Sequence, residues 1–131
     1  MTKLTEEMKG LIASQQAFVG TASPDGKPSI GLKGSTRVVD DSHIAFFEMA
    51  GGRTWENLQK NPQVAIVVAD RTKMKGFRFE GKVEDFVTAG PLYDEAKKLA
   101  EAMKIPVPPK AAVLVEVQAI YDLGKGGSKV A

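Results

Sequence analysis

The 131-residue chain contains no cysteine. That removes disulfides, thiolate nucleophiles, iron–sulfur clusters and cysteine-based zinc sites together. Its single histidine, His43, excludes multi-histidine metal centres and argues against a histidine-driven catalytic centre. Net charge is also scarce, with 18 Lys and Arg standing against 16 Asp and Glu. A dedicated nucleic-acid binder carries a larger, clustered excess, so no nucleic-acid partner is expected. The densest basic stretch, Arg71, Lys73, Lys75, Arg78 and Lys82, is broken by Glu80 and followed by Glu84 and Asp85, as on a solvated strand face. No long apolar run occurs, and the opening residues through Glu7 do not form a signal peptide. The expectation is a soluble cytoplasmic protein with no membrane partner. What these absences leave is small-molecule binding, or chemistry run by acid–base groups or a bound cofactor.

What is present fits one domain over residues 1–131, long enough to bury about two-thirds of its unfolded surface. Leu4, Met8, Leu11 and Ile12 recur at helical spacing, with Thr5 and the Glu6-Glu7 pair suited to the first turn. Strands are expected over 17–22, 28–39 and 43–49, separated by the turns at 23–27 and 40–42. A short helix over 54–60 follows Gly51-Gly52 and stops at Asn61-Pro62. The run 63–69 is apolar enough for a strand covered on both faces. Residues 76–87 alternate until Phe86 slips out of phase, which predicts a bulge near Glu84-Asp85. Gly90-Pro91 opens a helix burying Leu92, Ala96, Leu99 and Met103. The Pro-rich stretch 105–109 is extended, 110–122 is the last strand, and the Gly/Lys-rich tail over about 123–131 is expected to be mobile. Strands joined by short turns, without a βαβ rhythm, make the fold class mainly β: a small barrel with flanking helices. Phe18, Phe46, Phe77 and Phe79 are assigned to its core by their phase.

Two stretches carry candidate chemistry. On the long strand Lys33, Ser35 and Arg37 share one side, opposite Ile30, Leu32, Gly34, Thr36 and Val38. They form either a row of donors on the outer surface or an ordinary solvated face. The second stretch, Gly51-Gly52-Arg53-Thr54, opens the helix over 54–60. Its glycines let backbone amides approach a ligand, and an arginine at a helix start is misplaced against the dipole unless an anion sits there. Arg53 therefore either points to solvent or joins the amides and the Thr54 hydroxyl on a phosphate. His43 beside Asp40, Asp41 and Ser42 reads as a turn, since a catalytic triad is assembled by tertiary geometry.

Taken together, Lys33-Gly34-Ser35-Thr36-Arg37-Val38, then Gly52-Arg53-Thr54-x-x-Asn57-Leu58-x-x-Asn61-Pro62, resemble the FMN-binding split-barrel proteins related to pyridoxamine 5'-phosphate oxidase. Gly76-Phe77-Arg78-Phe79-Glu80-Gly81 and the stretch from Pro108-Pro109 to Tyr121 fit the small single-domain members. The resemblance spans nearly the whole chain. It implies a six-stranded antiparallel Greek-key split barrel that forms a homodimer, with one FMN per subunit at the interface. Arg53 and Thr54, following Gly52, match the pair that holds the FMN phosphate. Lys33 and Ser35 match the strand beside the flavin that also reaches the phosphate. Leu32, Lys33, Gly34 and Ser35, with Phe47, Glu48 and Met49, would line the isoalloxazine ring. Asn57 either braces the phosphate loop or caps the helix, and Arg78 and Tyr121 would reach the flavin from the second subunit. The chain lacks the Arg–x–His pair that serves a second phosphate, so oxidation of pyridoxamine phosphate itself is not expected. The function implied is a flavin-dependent oxidoreductase, with NADH or NADPH as candidate electron donor. The alternatives are a non-catalytic flavin carrier or a deazaflavin F420 binder. Haem is disfavoured by the placement of His43, and a plain interaction domain is the remaining option.

Overall fold

A computed structural model describes residues 2–131. The chain runs α1 (Glu6–Ser14), β1 (Ala17–Ala22), β2 (Pro28–Leu32), β3 (Arg37–Asp40), β4 (His43–Glu48), α2 (Arg53–Lys60), β5 (Gln63–Asp70), β6 (Lys75–Val87), α3 (Pro91–Ala102), β7 (Ala111–Asp122), a 3-10 turn (Leu123–Lys125) and β8 (Ser128–Lys129). Every strand pairing is antiparallel, in the order β2-β1-β5-β6-β7-β4-β3, with β8 added beside β7. β2 and β3 stand at opposite ends of that path, yet only Lys33 to Thr36 separate them. Such a linker reaches about 17 Å when extended, whereas a flat sheet of this path would be about 29 Å wide. The sheet must therefore curl until its two edges meet, which produces a split barrel with the helices outside. No helix among the described residues is long and apolar enough to cross a membrane.

Eight strands replace the six expected. The single strand expected over 28–39 is broken by a turn in which the Thr36 amide and hydroxyl both donate to the Lys33 carbonyl, at 3.1 and 2.7 Å. The tail expected to be mobile folds back instead. Gly126 and Gly127 adopt left-handed φ values of 69° and 78°, and Ser128 and Lys129 then pair with Asp122 and Tyr121.

The barrel interior is filled by Val19, Ile44, Phe46, Ile66, Val68, Phe79, Val113, Val115 and Ile120. Helix α1 closes one end: its Thr5 capping box fixes the start, and Met8, Leu11 and Ile12 join the core. Helix α3 starts at Pro91 after left-handed Gly90 and ends where Lys104 turns left-handed before Pro106. It covers the outer face of β4, where Phe47 packs with Ala96 and Ala112. Strand β6 carries its register shift at Val83/Asp85, where the bulge is expected, and a second at Glu80/Gly81. A Cβ at Gly81 would collide with the Glu116 carbonyl oxygen, so only glycine lets β6 and β7 approach there.

Two expectations about facing are corrected. Phe46, Phe77 and Phe79 are buried, but Phe18 is 41% exposed. Ile30 and Leu32 point outward, at 75% and 66% exposure, while Lys33, Ser35 and Arg37 are half-buried. β2 is an edge strand whose inward side rests on α2, and the turn at 33–36 resets the alternation before β3.

Candidate functional site

The turn between β2 and β3 lies against the end of β4, and three contacts stitch them. Lys33 Nζ donates to both Glu48 carboxylate oxygens, at 3.1 and 3.0 Å. The Phe47 amide donates to Ser35 Oγ at 2.9 Å. Arg37 Nε donates to the Ser35 carbonyl, its guanidinium stacks 4.3 Å from the Phe47 ring centroid, and Nη1 pairs with Glu95 of α3 at 3.2 Å. The Lys33–Glu48 pair is largely withdrawn from water, since Glu48 is only 4% exposed and the Lys33 side chain 17%. Glu48 closes β4, and the Lys110 amide entering β7 donates to its carbonyl at 2.8 Å.

These elements enclose a pocket of about 380 Å³. Leu32, Lys33, Gly34 and Ser35 line one side, Phe47, Glu48 and Met49 another, and Leu99 and Met103 of α3 a third. All seven residues expected beside a flavin ring are thus gathered at one place. Helical spacing puts Leu99 and Met103 on a buried face, but Met103 is largely exposed and stands at the pocket wall instead.

A second cluster lies at the start of α2. Gly52, at a φ of 147°, is its N-cap and supplies no side-chain cap, so the first-turn amides lack that partner. Arg53 is exposed and Thr54 is buried. A Cβ on Gly31 would lie 3.0 Å from Thr54 Oγ1 and 4.0 Å from Lys33 Cε, so the glycine lets α2 pack closely against β2. Lys110, which sequence reasoning missed, passes beside Gly51, where a Cβ would lie 3.8 Å from its Nζ. Among the described residues neither Arg53 nor Lys110 has an acidic partner within 4.0 Å. Exposed Glu56 supplies the only acidic group in the first turn. Helix amides, a hydroxyl and two cations without an acidic partner among the described residues are donor types that could hold an anion.

The remaining candidates sit elsewhere. Asn57 is buried and donates to Thr21 Oγ1 at 3.0 Å, fastening α2 to β1. Trp55 packs edge-on against Phe86 at 5.3 Å and lies under Lys110. Arg78 stacks on Tyr121 at 4.5 Å and pairs with Glu80 at 2.8 Å. It shares an outer row with Leu32, Phe18, Val67 and Tyr121, about three strand spacings, or ~14 Å, from Leu32. Within one chain Arg78 does not meet the pocket.

His43 opens β4, about 16 Å along the strand from Glu48. Its Nδ1 lies 2.8 Å from Asp40 and its Nε2 3.2 Å from Glu84, with Glu116 close by. Burial opposes protonation of the ring, but the Asp40 and Glu84 bonds outweigh it and hold the imidazole above its ordinary value near 6.5. The ring bridges Asp40 and Glu84 across the bulged end of the barrel. Both ring nitrogens face carboxylates and neither faces the Ser42 hydroxyl, so these neighbours form no triad.

The family model described as Pyridoxamine 5'-phosphate oxidase matches residues 4–124. The crystal structure of Group A Streptococcus HupZ, in an epitope-tagged form, is 35% identical, with a TM-score of 0.84 over 98% of this chain and 99% of that one. Uncharacterized protein MJ0282 of Methanocaldococcus jannaschii is 29% identical over 96% of this chain and 85% of its own length. An FMN-binding protein from Syntrophomonas wolfei shares the fold at 16% identity, with a TM-score of 0.76 over 88% of this chain and 82% of that one. An F420 reductase and a haem-binding protein from Mycobacterium smegmatis share it at TM-scores of 0.67 and 0.65, with 23% and 14% identity.

Proposed function

This chain belongs to the pyridoxamine 5'-phosphate oxidase family, and we propose that it is a cytoplasmic FMN-binding flavoprotein acting as a flavin-dependent oxidoreductase. The observation that carries the reading is a pocket walled by Leu32, Phe47, Met49, Leu99 and Met103, lying beside a cationic helix start. An apolar slot suits a flat ring system, and the Arg53–Thr54–Lys110 cluster suits a phosphate. Gly31 lets the start of α2 pack closely against the strand that leads into the pocket. A bound flavin would supply the hydride or electron transfer that no side chain here is equipped to perform. The chain's own work is binding and orientation. Arg53, Thr54 and Lys110 hold the phosphate, while the apolar walls exclude water from the ring.

The cofactor's second cover is another copy of this chain. Phe18, Ile30 and Leu32 form an outward apolar surface, and Leu32 belongs both to that surface and to the pocket. A two-fold contact over it brings Arg78 and Tyr121 of one copy toward the pocket of the other. Haem ligated by His43 is disfavoured, because both ring nitrogens are committed to carboxylates. A non-catalytic flavin carrier is the second reading. It is favoured by the mutual pairing of Lys33 and Glu48, the pocket's only ionisable side chains. Anaerobic mixing of the FMN-loaded protein with NADH or NADPH separates the two. Bleaching of the flavin within turnover time supports the oxidoreductase, and an unreduced flavin with both donors supports the carrier.

A further inference from the structure

The end of the barrel remote from the pocket carries a side-chain cluster that flavin binding does not use. His43 and Glu116 are direct partners across β4 and β7, on the outer side of strands whose neighbouring residues Ile44 and Val115 face the core. On β6 the register shift between Val83 and Asp85 leaves Glu84 without a partner of its own, and the bulge aims it at the same spot. One ring nitrogen of His43 and one carboxylate oxygen each from Glu84 and Glu116 lie within 4.8 Å of one another. Asp40 stands 2.8 Å from Nδ1. In the neutral ring it accepts the Nδ1 hydrogen, which leaves the Nε2 lone pair on the side of Glu84. Three carboxylates thus surround one imidazole, which can offset at most one of their charges. Among the described residues Glu116 has no cation within 4.0 Å, and Lys82, its partner on β6, has no carboxylate within that distance.

We propose that His43, Glu84 and Glu116 form a binding site for one divalent ion of the zinc class, with Asp40 orienting the imidazole. Zinc held by three protein ligands and an open position has bonds of about 2.0–2.2 Å, which set its donors about 3.4 Å apart. Nε2 and Glu84 already stand 3.2 Å apart. The widest separation in the set has to close by no more than about 1.4 Å, within reach of glutamate side-chain rotation. The pairing of Asp40 with Nδ1 is the outer contact that fixes the tautomer and orientation of a metal-binding histidine. Glu84 bars a haem iron from Nε2, yet it is itself a ligand for a bare ion. An imidazole among oxygen donors favours zinc over magnesium and calcium, which take oxygen alone. A single histidine excludes a multi-histidine centre but not this mixed set. The ion ties the turn before β4 to β6 and β7, and zinc brings no redox chemistry of its own.

With no cysteine and no second histidine, the chain offers zinc no thiolate and no other imidazole. The untagged full chain, stripped with a chelator, is titrated with Zn²⁺ against a chromophoric competitor at pH 8 in excess Mg²⁺. The expected result is one zinc per chain, bound at least about 10-fold more weakly by His43→Gln and by Glu116→Gln. Glu116→Gln breaks no ion pair, so it reports on the site even where loss of the His43 bridge weakens the fold. No saturation by about 100 μM zinc overturns the proposal. Equal affinity in His43→Gln overturns it too, because scattered surface carboxylates then hold the ion. Weakening in His43→Gln alone, with Glu116→Gln unchanged, overturns the three-ligand geometry.

Discussion

The proposed phosphate seat at the start of α2 makes the sharpest quantitative prediction. Replacing Arg53 and Thr54 together by alanine removes a guanidinium and a hydroxyl while leaving the Gly52 cap, the helix amides and Lys110 in place. A charge-assisted bond contributes about 1.5–3 kcal/mol, and exposed Arg53 belongs at the lower end; a neutral hydroxyl contributes about 1 kcal/mol. The sum of about 2.5 kcal/mol corresponds to an FMN affinity some 60-fold weaker. Riboflavin, with the same ring and no phosphate, supplies the internal control. Its affinity should change by less than about 2-fold, because neither residue lines the ring pocket. Equilibrium titration of both flavins at fixed ionic strength measures the pair of constants. Equal losses for FMN and riboflavin would mean the substitutions disturb the pocket rather than a phosphate contact. An unchanged FMN affinity would remove the seat from this helix altogether.

Three further outcomes follow from the fold. Gly81→Ala drives a Cβ into the Glu116 carbonyl, so urea unfolding should show a loss of at least about 3 kcal/mol; a change under about 0.5 kcal/mol would contradict the bulge geometry. His43 has its folded value raised, so its bridge stabilises fully below about pH 6.5 and is lost as pH rises through the folded value. The stability gap between wild type and His43→Gln should accordingly be wider at pH 5.5 than at pH 8, and a gap independent of pH would refute the bridge. Ile30→Glu puts a charge on the outward apolar face, so light scattering should report a monomer that retains FMN less well. A dimer that persists would place the interface elsewhere.

What can be read from the sequence depends on the range of the signal. β1 falls over 17–22 as read, and the bulge near Glu84-Asp85 shows itself through the phase slip at Phe86. The pocket-lining stretches 32–35 and 47–49 are legible through the family resemblance, because each is a contiguous run that the β2–β3 turn and β4 bring together. Lys110, Leu99 and Met103 are not legible as site residues. They reach the site from α3 and the entry to β7, and nothing local marks a lysine after Pro109 as the neighbour of Gly51. Facing fails on β2 for a different reason. Alternation shows that Ile30 and Leu32 share a side, but it cannot tell which side of an edge strand a helix covers. The tail defeats a compositional reading because its glycines serve as turn residues as readily as they confer looseness.

The absence of cysteine and the single, committed histidine place any redox chemistry on a bound group, and the identity of that group decides the function. Equilibrium titration of the cofactor-free chain with FMN, F420 and haem in parallel identifies it. The predicted result is saturation at one FMN per chain, with FMN bound more tightly than either competitor and its affinity reduced by the Arg53/Thr54 double substitution. Saturable haem binding with no measurable FMN binding would contradict it.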